Sequence, residues 1–434
     1  MTKTAKEKRE MKVALVCDWL TNVGGAEKVL LRIHELYPEA PIYTSKYDPK
    51  GIDWFYGADV RTGWLQIFPS KLRRILGPLR QRYFSRLDLS EYDLIISVTG
   101  AEAKSVKSGQ RLHKEGKKSG NPKGIHISFC HVPTQYYWQM YDDYVKNPGF
   151  GVLNPVVRIF FKLMVGPLKR ADYKAAQNPD YYITISEYAK AQIKKYYKRE
   201  AVIVHPPVEI EDFKVKQGNK TKKSQEIGAR ESNNKKKQSQ ERRGVSSENK
   251  KTKSQEGSSA LAVENFDITR TYITTSRQVN WKRIDLAVAA CKKLGRNLVV
   301  IGEGPEHEKL MKLADGDNRI VFLPLMTKVE LARYLGEAKG YLFPSLEPFG
   351  IAPVEALAAG CPVIAFGEGG ALDYVVDGVN GVLFSEQTTD SLIEAMERFE
   401  GMKFEREKVS NSVKNYGQER FDLEIRQFVD EKLK

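Results

Sequence analysis

Short apolar runs that alternate with helical patterns constrain the fold of this chain more than any other feature. The first run, residues 11–19 (MKVALVCDW), is almost continuously apolar, which is typical of a parallel strand buried on both faces. It leads into Gly24 and Gly25 and then into a helical pattern over residues 27–36. Further strands are predicted at 93–98, 125–130, 181–186 and 202–205, with a helix over 187–197 that Ser186 caps. This alternation predicts a doubly wound α/β domain.

A polar segment interrupts the pattern at about residues 217–259. It consists of Lys, Ser, Gln, Glu, Asn and Gly with almost no apolar residue, so it cannot bury enough surface to offset the entropy of ordering. We therefore predict a disordered, basic, low-complexity linker over 214–266. The alternation then resumes, with strands predicted at 272–276, 297–302, 320–323, 340–343 and 362–365, and helices at 283–294, 351–359 and 404–434. The sequence thus predicts two Rossmann-like domains, 1–213 and a second from 267 onward, with ligand in the cleft at the carboxyl ends of their strands.

Charge and cysteine content exclude several classes of protein. The chain has 70 Lys and Arg against 55 Asp and Glu, a net charge of +15. Residues 214–259 carry 14 basic and 5 acidic side chains, a surplus of +9 that leaves only +6 elsewhere. A mildly basic body suits phosphorylated substrates, and nucleic acid is not the expected partner. The four cysteines form no Cys-x-x-Cys pair, the opening residues are charged, and no run of 18 apolar residues occurs, so we expect a cytoplasmic protein without zinc site or disulfides.

The segment 347–355 (EPFGIAPVE) carries the clearest chemical signal. Backbone amides from about Phe349 to Ala352 open a helix, and such helix N-termini bind phosphate or sugar oxygens. Gly350 lets the backbone approach a ligand closely. Glu347 lies in the loop, and Glu355 lies about one turn into the helix, facing the cleft. Solvated surface acids are the alternative interpretation of such a pair.

Two cations follow the first strand of the second domain, in the segment 275–285 (TSRQVNWKRID). Two cations fixed at this position, Arg277 and Lys282, would stabilise negative charge that develops during a reaction more than they stabilise the ground state. Solvated surface cations are the alternative. His131 and Asp18 also follow strands and would face the cleft, with a structural role as the alternative for both.

Taken together, these motifs resemble the retaining, nucleotide-sugar-dependent glycosyltransferases of family 4, which have the GT-B fold. The E-P-F-G-I-x-x-x-E string with G-C-P-V-I-A at 360–365 carries the resemblance. Arg277 and Lys282 resemble the family's R-x-x-x-x-K element, and Gly24 and Gly25 its N-terminal glycine loop. Residues 128–134 with Trp138, and 206–208, resemble mannosyltransferase-like members.

The resemblance implies a role for each matching residue. It assigns the ribose to Glu355, the transferred sugar to Glu347 and His131, and the diphosphate to Arg277 and Lys282. Catalytic residues are thus expected to be His131, Glu347, Arg277 and Lys282. The residues expected to bind the donor are Gly24, Gly25, Arg277, Lys282, Phe349, Gly350, Ile351, Glu355, Gly369 and Gly370. The acceptor hydroxyl would attack from the front face while the leaving phosphate takes its proton. No metal or other cofactor is required, since the nucleotide sugar is a substrate, and residues 415–434 would cross back from the second domain (267–414) to the first.

The identity of the substrates stays open at this stage. GDP-mannose is the first candidate donor and UDP-sugars come next, with a glycan or lipid-linked acceptor. Gln135 and Gln139 replace the Arg and Asp common in mannosyltransferase-like relatives, and Asp373 replaces a Glu. A nucleotide-sugar 2-epimerase on the same fold and a nucleic-acid binder acting through the basic linker are the alternatives.

A basic amphipathic segment over 64–86, with an apolar edge at 156–168, raises the question of membrane contact. Such a segment could rest on anionic lipid at the inner face of the membrane. The alternative is an ordinary core-facing helix with a solvated basic face.

Overall fold

The computed structural model describes residues 11–70, 76–117, 121–146, 154–214 and 267–434. The predicted linker over 214–266 lies outside the described residues, apart from Lys214.

The N-terminal domain is built on a seven-stranded parallel sheet in the order β3-β2-β1-β4-β5-β6-β7. Its strands are β1 (Val13–Cys17), β2 (Ile42–Thr44), β3 (Val60–Arg61), β4 (Leu94–Thr99), β5 (Ile125–Cys130), β6 (Tyr181–Thr184) and β7 (Val202–Ile203). The helices are α1 (Gly25–Leu36), α2 (Gly77–Phe84), α3 (Gly109–Lys114), α4 (Tyr141–Lys146), α5 (Asn154–Ala175), α6 (Glu187–Tyr197) and α7 (Ile210–Phe213). As predicted, the Ser186 side chain caps α6 by accepting a hydrogen bond from the Ala189 amide.

The C-terminal domain has a six-stranded parallel sheet in the order β10-β9-β8-β11-β12-β13. Its strands are β8 (Thr271–Thr275), β9 (Asn297–Ile301), β10 (Ile320–Leu323), β11 (Gly340–Phe343), β12 (Val363–Phe366) and β13 (Gly381–Phe384). The helices are α8 (Ile284–Leu294), α9 (His307–Ala314), α10 (Lys328–Glu337), α11 (Ile351–Ala358), α12 (Thr389–Glu400), α13 (Arg406–Asn411) and α14 (Gln418–Leu433). The prediction of two doubly wound α/β domains is therefore confirmed.

Strand order reverses beside the first strand of each sheet, and this reversal positions the site. β1 pairs with β2 on one side and β4 on the other, and β8 pairs with β9 and β11 in the same way. Loops that leave neighbouring strands in opposite directions open a crevice at the carboxyl edge of such a sheet. The segments after β8 and β11, which carry Arg277 and Glu347, consequently lie side by side.

The chain end differs from the single predicted helix over 404–434. It forms α13, a 3₁₀ turn at Lys414–Tyr416 and then α14. Gly417 separates the last two elements and pairs with Val208 of the N-terminal domain in an isolated β-bridge. Helix α14 then packs on that domain, with the Phe421 ring 6.0 Å from Phe129. The last helix therefore contacts the N-terminal domain.

No helix among the described residues is both long and apolar enough to traverse a bilayer. All four cysteines are buried as free thiols.

Candidate active site

A cavity of about 670 Å³ lies between the two domains. Loops after β1, β4 and β5 form one wall, and loops after β8 and β11 form the other. The predicted residues that line it are Gly24, Gly25, His131, Arg277, Lys282, Glu347, Phe349, Gly350, Ile351 and Glu355. Side chains separated by more than 300 positions in the sequence thus meet in one cleft.

Arg277 and Lys282 differ in their surroundings. Arg277 is exposed at the cavity wall, and its guanidinium makes no hydrogen bond or ion pair with any other described residue. Lys282 ends a 3₁₀ turn, and its Nζ lies 2.5 Å from Glu347 Oε1. The Ser345 hydroxyl donates to the same carboxylate oxygen over 2.8 Å. One cation is therefore available to an anion, while the other holds the acid expected to contact the sugar.

The turn at residues 302–305 supports the Arg277 loop from behind. The Gln278 amide donates to the Glu303 carbonyl over 2.9 Å. Gly302 has φ +117°, and a Cβ there would meet the Ser276 carbonyl oxygen at 2.4 Å. Only glycine fits so close a contact in this backbone conformation. This turn does not line the cavity itself.

The N-terminus of α11 lines the cavity. Gly350 precedes the helix with φ +96°, and the buried Tyr374 hydroxyl donates to the Phe349 carbonyl over 2.7 Å, which anchors the loop. The first turn of a helix leaves its amides without intrahelical partners. Since Pro353 has no N–H, the amides of Ile351 and Ala352 supply this positive end to a ligand.

A lysine of the other domain reaches Glu355. The Lys28 Nζ, carried by α1, lies 3.2 Å from Glu355 Oε1 and 3.5 Å from Glu209 Oε2. Close by, a Cβ on Gly25 would meet the Ile351 side chain at 3.3 Å. The two domains therefore touch at the glycine loop, and Lys28 bridges them. Sequence reasoning did not single out Lys28, although its place four residues after Gly24 at the start of a helix was a signal.

His131 presents an unsatisfied nitrogen. Its backbone amide donates to the Thr99 carbonyl over 2.9 Å, which extends the β4–β5 pairing. The side chain packs against Phe129, and Nε2 is buried without a hydrogen-bond partner among the described residues. Burial lowers the pKa of the imidazole to about 4, so the ring is neutral at pH 7. A buried polar atom left unpaired is costly, and a ligand hydroxyl would satisfy it.

The loop after His131 is held by one buried carboxylate. Asp172 accepts hydrogen bonds from the Thr134 hydroxyl and the Trp138 indole, both over 2.8 Å, and its other partners include Lys104 at 2.7 Å. Thr134 and Trp138, two of the residues that suggested a mannosyltransferase, are therefore structural. Gln135 lines the cavity from the same loop.

The prediction for Gly369 and Gly370 needs correction. Neither residue lines the cavity. The Gly370 amide donates to the Glu347 carbonyl over 2.8 Å, and a Cβ on Gly369 would meet the same carbonyl oxygen at 2.5 Å. Their backbone packs behind the loop of Glu347, so these glycines shape that loop and do not line the cleft.

Asp373, at the end of the same turn, contacts the N-terminal domain. One carboxylate oxygen accepts the Glu187 amide at the start of α6 over 3.1 Å and lies 3.7 Å from His205 Nδ1. Burial raises the pKa of Asp373 to about 6.

Two further N-terminal residues define the wall opposite the donor loops. Asp18 accepts hydrogen bonds from the Thr99 hydroxyl and from the Gly100 and Ala103 amides, so it orders the loop after β4. Arg80 was not predicted. It is buried at the cavity wall, donates to Glu102 over 2.8 Å, and its guanidinium lies 4.9 Å from the centre of the Trp19 ring.

Within the described part of the chain, no group of three or more His, Cys, Asp or Glu side chains is arranged to hold a metal ion. The positive charge seen in the cleft comes from side chains and helix amides.

The fold and the cleft define a two-domain protein with a cavity between its halves that is lined by cations, carboxylates and the N-terminus of α11. Across 97% of this chain and 100% of the other, it superposes with a TM-score of 0.62 and 17% identity on Anabaena HepE, a structure in complex with UDP. Sucrose-phosphate synthase of Thermosynechococcus elongatus superposes with a TM-score of 0.61 and 17% identity, over 97% and 99% of the two chains. The predicted GT-B fold is confirmed.

The sequence of the C-terminal domain also resembles a known family. Residues 263–420 match the family model of the glycosyl transferases group 1. A segment of 134 residues is 32% identical to glycogen synthase of Pseudomonas syringae pv. tomato, covering 29% of this chain and 28% of that protein. Another of 126 residues is 33% identical to D-inositol 3-phosphate glycosyltransferase of Mycobacterium marinum, covering 27% of each. The chain thus spans little more than a quarter of these curated relatives.

Proposed function

We propose that this protein is a retaining glycosyltransferase that moves a hexose from a nucleotide-diphosphate donor to a glycan or lipid-linked acceptor. One observation carries the proposal: Arg277, Lys282 and the N-terminus of α11 line the same interdomain cavity as Glu347 and Glu355. Cations and helix amides suit a diphosphate, and carboxylates suit sugar and ribose hydroxyls. The family match of residues 263–420 supports the same activity.

Catalysis in this proposal rests on charge that develops during the reaction. As the glycosidic bond breaks, negative charge grows on the diphosphate oxygen, and fixed positive groups stabilise that state more than the ground state. Arg277 has no competing partner among the described residues, and Lys282 can move from Glu347 toward the phosphate when the sugar arrives. The acceptor hydroxyl attacks from the face that the diphosphate leaves, and a phosphate oxygen takes its proton. No metal is needed for this charge balance.

The sugar and the ribose are assigned to the remaining cavity residues. His131 offers a neutral Nε2 to a sugar hydroxyl, and Glu347 accepts another hydroxyl once Lys282 is shared with the diphosphate. Glu355 accepts from the ribose while Lys28 holds it in place. The acceptor occupies the opposite wall, where Trp19, Arg80 and Gln135 lie.

For the donor, we propose GDP-mannose first, on the motif around His131, and UDP-hexoses second. The structural neighbour HepE has been solved with UDP and with UDP-glucose, which supports including uridine donors. Thr134 and Trp138 are held by Asp172 inside the domain. These two residues of the motif that favours mannose therefore support the shape of the loop more than they support a contact with the sugar.

A thermal-shift panel tests the donor, since a ligand that binds only the folded state raises the apparent stability. GDP, UDP and ADP and their sugars are compared with wild-type protein and with Arg277→Ala. We expect one nucleotide family to raise the Tm of the wild type and to have a weaker effect on R277A. The same nucleotide sugar is then incubated with EDTA and an acceptor mixture, and the product anomer is determined by NMR.

Transfer with retained anomeric configuration in the presence of EDTA supports the proposal. Free nucleotide with an epimerised sugar and no need for an acceptor would show a 2-epimerase instead. Deletion of residues 217–259 separates the enzyme from a nucleic-acid binder. The proposed enzyme should keep its transfer activity after the deletion. A protein that acts through the basic segment would lose nucleic-acid binding and would show no transfer before or after the deletion.

A further inference from the structure

Helix α5 is attached to the N-terminal domain by one of its faces. The Phe161 ring stacks on Tyr141 of α4 at 5.7 Å, and the Arg158 side chain donates to the Val145 carbonyl over 2.9 Å. Lys169 lies over the Trp138 ring at 5.2 Å, and Asp172 is buried. These contacts fix which side of α5 points away from the protein.

The outward side of α5 is apolar and basic. Val156, Ile159 and Leu163 are 67%, 62% and 73% exposed, and their spacing places them on one face of the helix. Three exposed cations share this side of the helix: Lys162, Arg170 and Lys174.

Among the residues of α5, no carboxylate lies on this face. The one carboxylate within α5 is Asp172, which is turned inward against Lys104. Three neighbouring aliphatic side chains in water are unfavourable, and soluble helices usually mix both charge signs on an exposed face.

We propose that this outward face of α5 binds the surface of an anionic lipid bilayer. A helix with an apolar stripe and flanking Lys and Arg lies in the headgroup region, with aliphatic side chains inserted and cations near lipid phosphates. The absence of carboxylates removes the repulsion that such a surface would otherwise impose. An anionic bilayer supplies both an apolar interior and phosphate charge, which match the two properties of this face. A protein partner would have to present an apolar patch flanked by acids at the same spacing.

The same helix connects the proposed lipid face to the acceptor side of the cleft. Asp172, near the end of α5, holds Thr134 and Trp138 of the loop that follows His131. Docking α5 on a bilayer would therefore bring this side of the cleft to the surface where a lipid-linked acceptor lies. That link rests on the proposed function, whereas lipid binding itself does not.

The structure also revises the segment that first suggested membrane contact. In residues 64–86, Arg80, Tyr83 and Phe84 are buried, and Arg80 is paired with Glu102. Helix α2 is therefore an ordinary core-facing helix, and residues 71–75 lie outside the described part of the chain. Trp64 and Ile67 of the same segment are exposed but precede α2, whereas α5 carries three exposed aliphatic side chains on one helix face.

Vesicle co-sedimentation of the full chain tests the proposal. Vesicles of phosphatidylcholine alone are compared with vesicles in which one third of the lipid is phosphatidylglycerol. The double variant I159E/L163E is matched by L325E/V329E, whose two positions are 83% and 80% exposed in the C-terminal domain. A third variant, K162Q/R170Q/K174Q, removes charge and leaves the stripe.

We expect the wild type to partition into the anionic vesicles and far less into phosphatidylcholine. I159E/L163E should lower the partition coefficient by more than about tenfold, as loss of two inserted aliphatic side chains requires. K162Q/R170Q/K174Q should lower it by about tenfold or more and flatten its salt dependence. L325E/V329E should bind like the wild type. All variants should keep their melting temperature and the nucleotide response of the wild type.

Several results would overturn the proposal. Equal binding to both vesicle types would exclude a role for lipid charge. Wild-type binding by I159E/L163E would show that the basic segment 214–259, or another surface, attracts the lipid. A dimer of the wild type, detected by light scattering and lost in I159E/L163E, would show that a second copy covers the face. A normal nucleotide response together with no lipid binding would contradict lipid binding by α5 without affecting the proposed function.

Discussion

Replacing Lys282 by Met tests the electrostatic core of the proposed mechanism. The Lys282 side chain is 22% exposed and lines the cavity, and its Nζ lies 2.5 Å from Glu347 Oε1. A unit charge about 4 Å from a developing negative charge is worth about 4 kcal/mol at an effective dielectric constant near 20. Loss of one such group typically costs on the order of 100- to 1,000-fold in kcat. We therefore expect kcat to fall by about that factor, with a smaller change in KM.

A matched ion pair elsewhere in the same domain provides the control. Lys339 Nζ lies 2.6 Å from Glu400 Oε1, with side-chain exposures of 28% and 20% against 22% and 19% for the pair in the cleft. Lys339→Met should leave turnover near the wild-type rate. Initial rates at varied donor concentration, together with thermal unfolding of each variant, separate a catalytic loss from a folding defect.

Two outcomes would contradict the proposed role of Lys282. If K282M kept kcat within about threefold of the wild type while remaining folded, the cation would not stabilise the departing diphosphate. An equal loss in K339M would show that any broken ion pair harms this domain. Adding Glu347→Gln to K282M should not restore turnover, because it removes repulsion from the phosphate without supplying positive charge.

Three further perturbations follow from the same geometry. Gly350→Ala places a Cβ 2.7 Å from the Phe343 ring at φ +96°, so it should cost about 1–3 kcal/mol of stability and weaken nucleotide binding in denaturation and thermal-shift assays. Lys28→Met should raise donor KM by about three- to tenfold with little change in kcat, because Lys28 orients Glu355 in ground and transition states alike. The folded-state pKa of Asp373 is raised from 3.8 to about 6, so its contribution to stability is full below pH 3.8 and is lost as pH rises through 6. Since the carboxyl is only partly shielded, we expect Asp373→Asn to be more stable than the wild type by ~1 kcal/mol at pH 8, with no such gain at pH 4 by urea unfolding.

Most of the cleft could be predicted because parallel strands deliver their carboxyl ends to one edge of a sheet. Arg277 and Glu347 follow buried strands of the same sheet, so strand prediction placed them together. His131 follows a strand of the other sheet, and its place in the site depended on the predicted cleft between the two domains. Strands β2 and β3 were not predicted, because β2 spans three residues and β3 two, with only partial burial. Such short strands depend on pairing, β2 with β1 and β3 with β2, which no local pattern reveals.

What the sequence could not show depends on contacts between distant segments. Lys28 and Glu355 are separated by 327 positions, and a lysine early in a helix has the appearance of a solvated residue. Gly369 and Gly370 were misinterpreted for a related reason. A glycine pair predicts close backbone approach, but the partner that approaches is the Glu347 carbonyl and not the donor.

The loop that presents the helix amides is itself supported by both domains, which connects domain closure to the shape of the site. The Phe349 ring stacks on His205 of the N-terminal domain at 5.6 Å and lies 6.0 Å from the ring of Tyr416 in the crossing segment. Tyr416 in turn donates a hydrogen bond to the Asp373 carbonyl, beside the contact with α6. A rotation that opened the cleft would withdraw His205 from Phe349 and Lys28 from Glu355 together. Phe349 precedes α11 and Glu355 lies within it, so both contacts act on the segment proposed to bind the diphosphate, and that segment has its full set of supports only when the two domains meet.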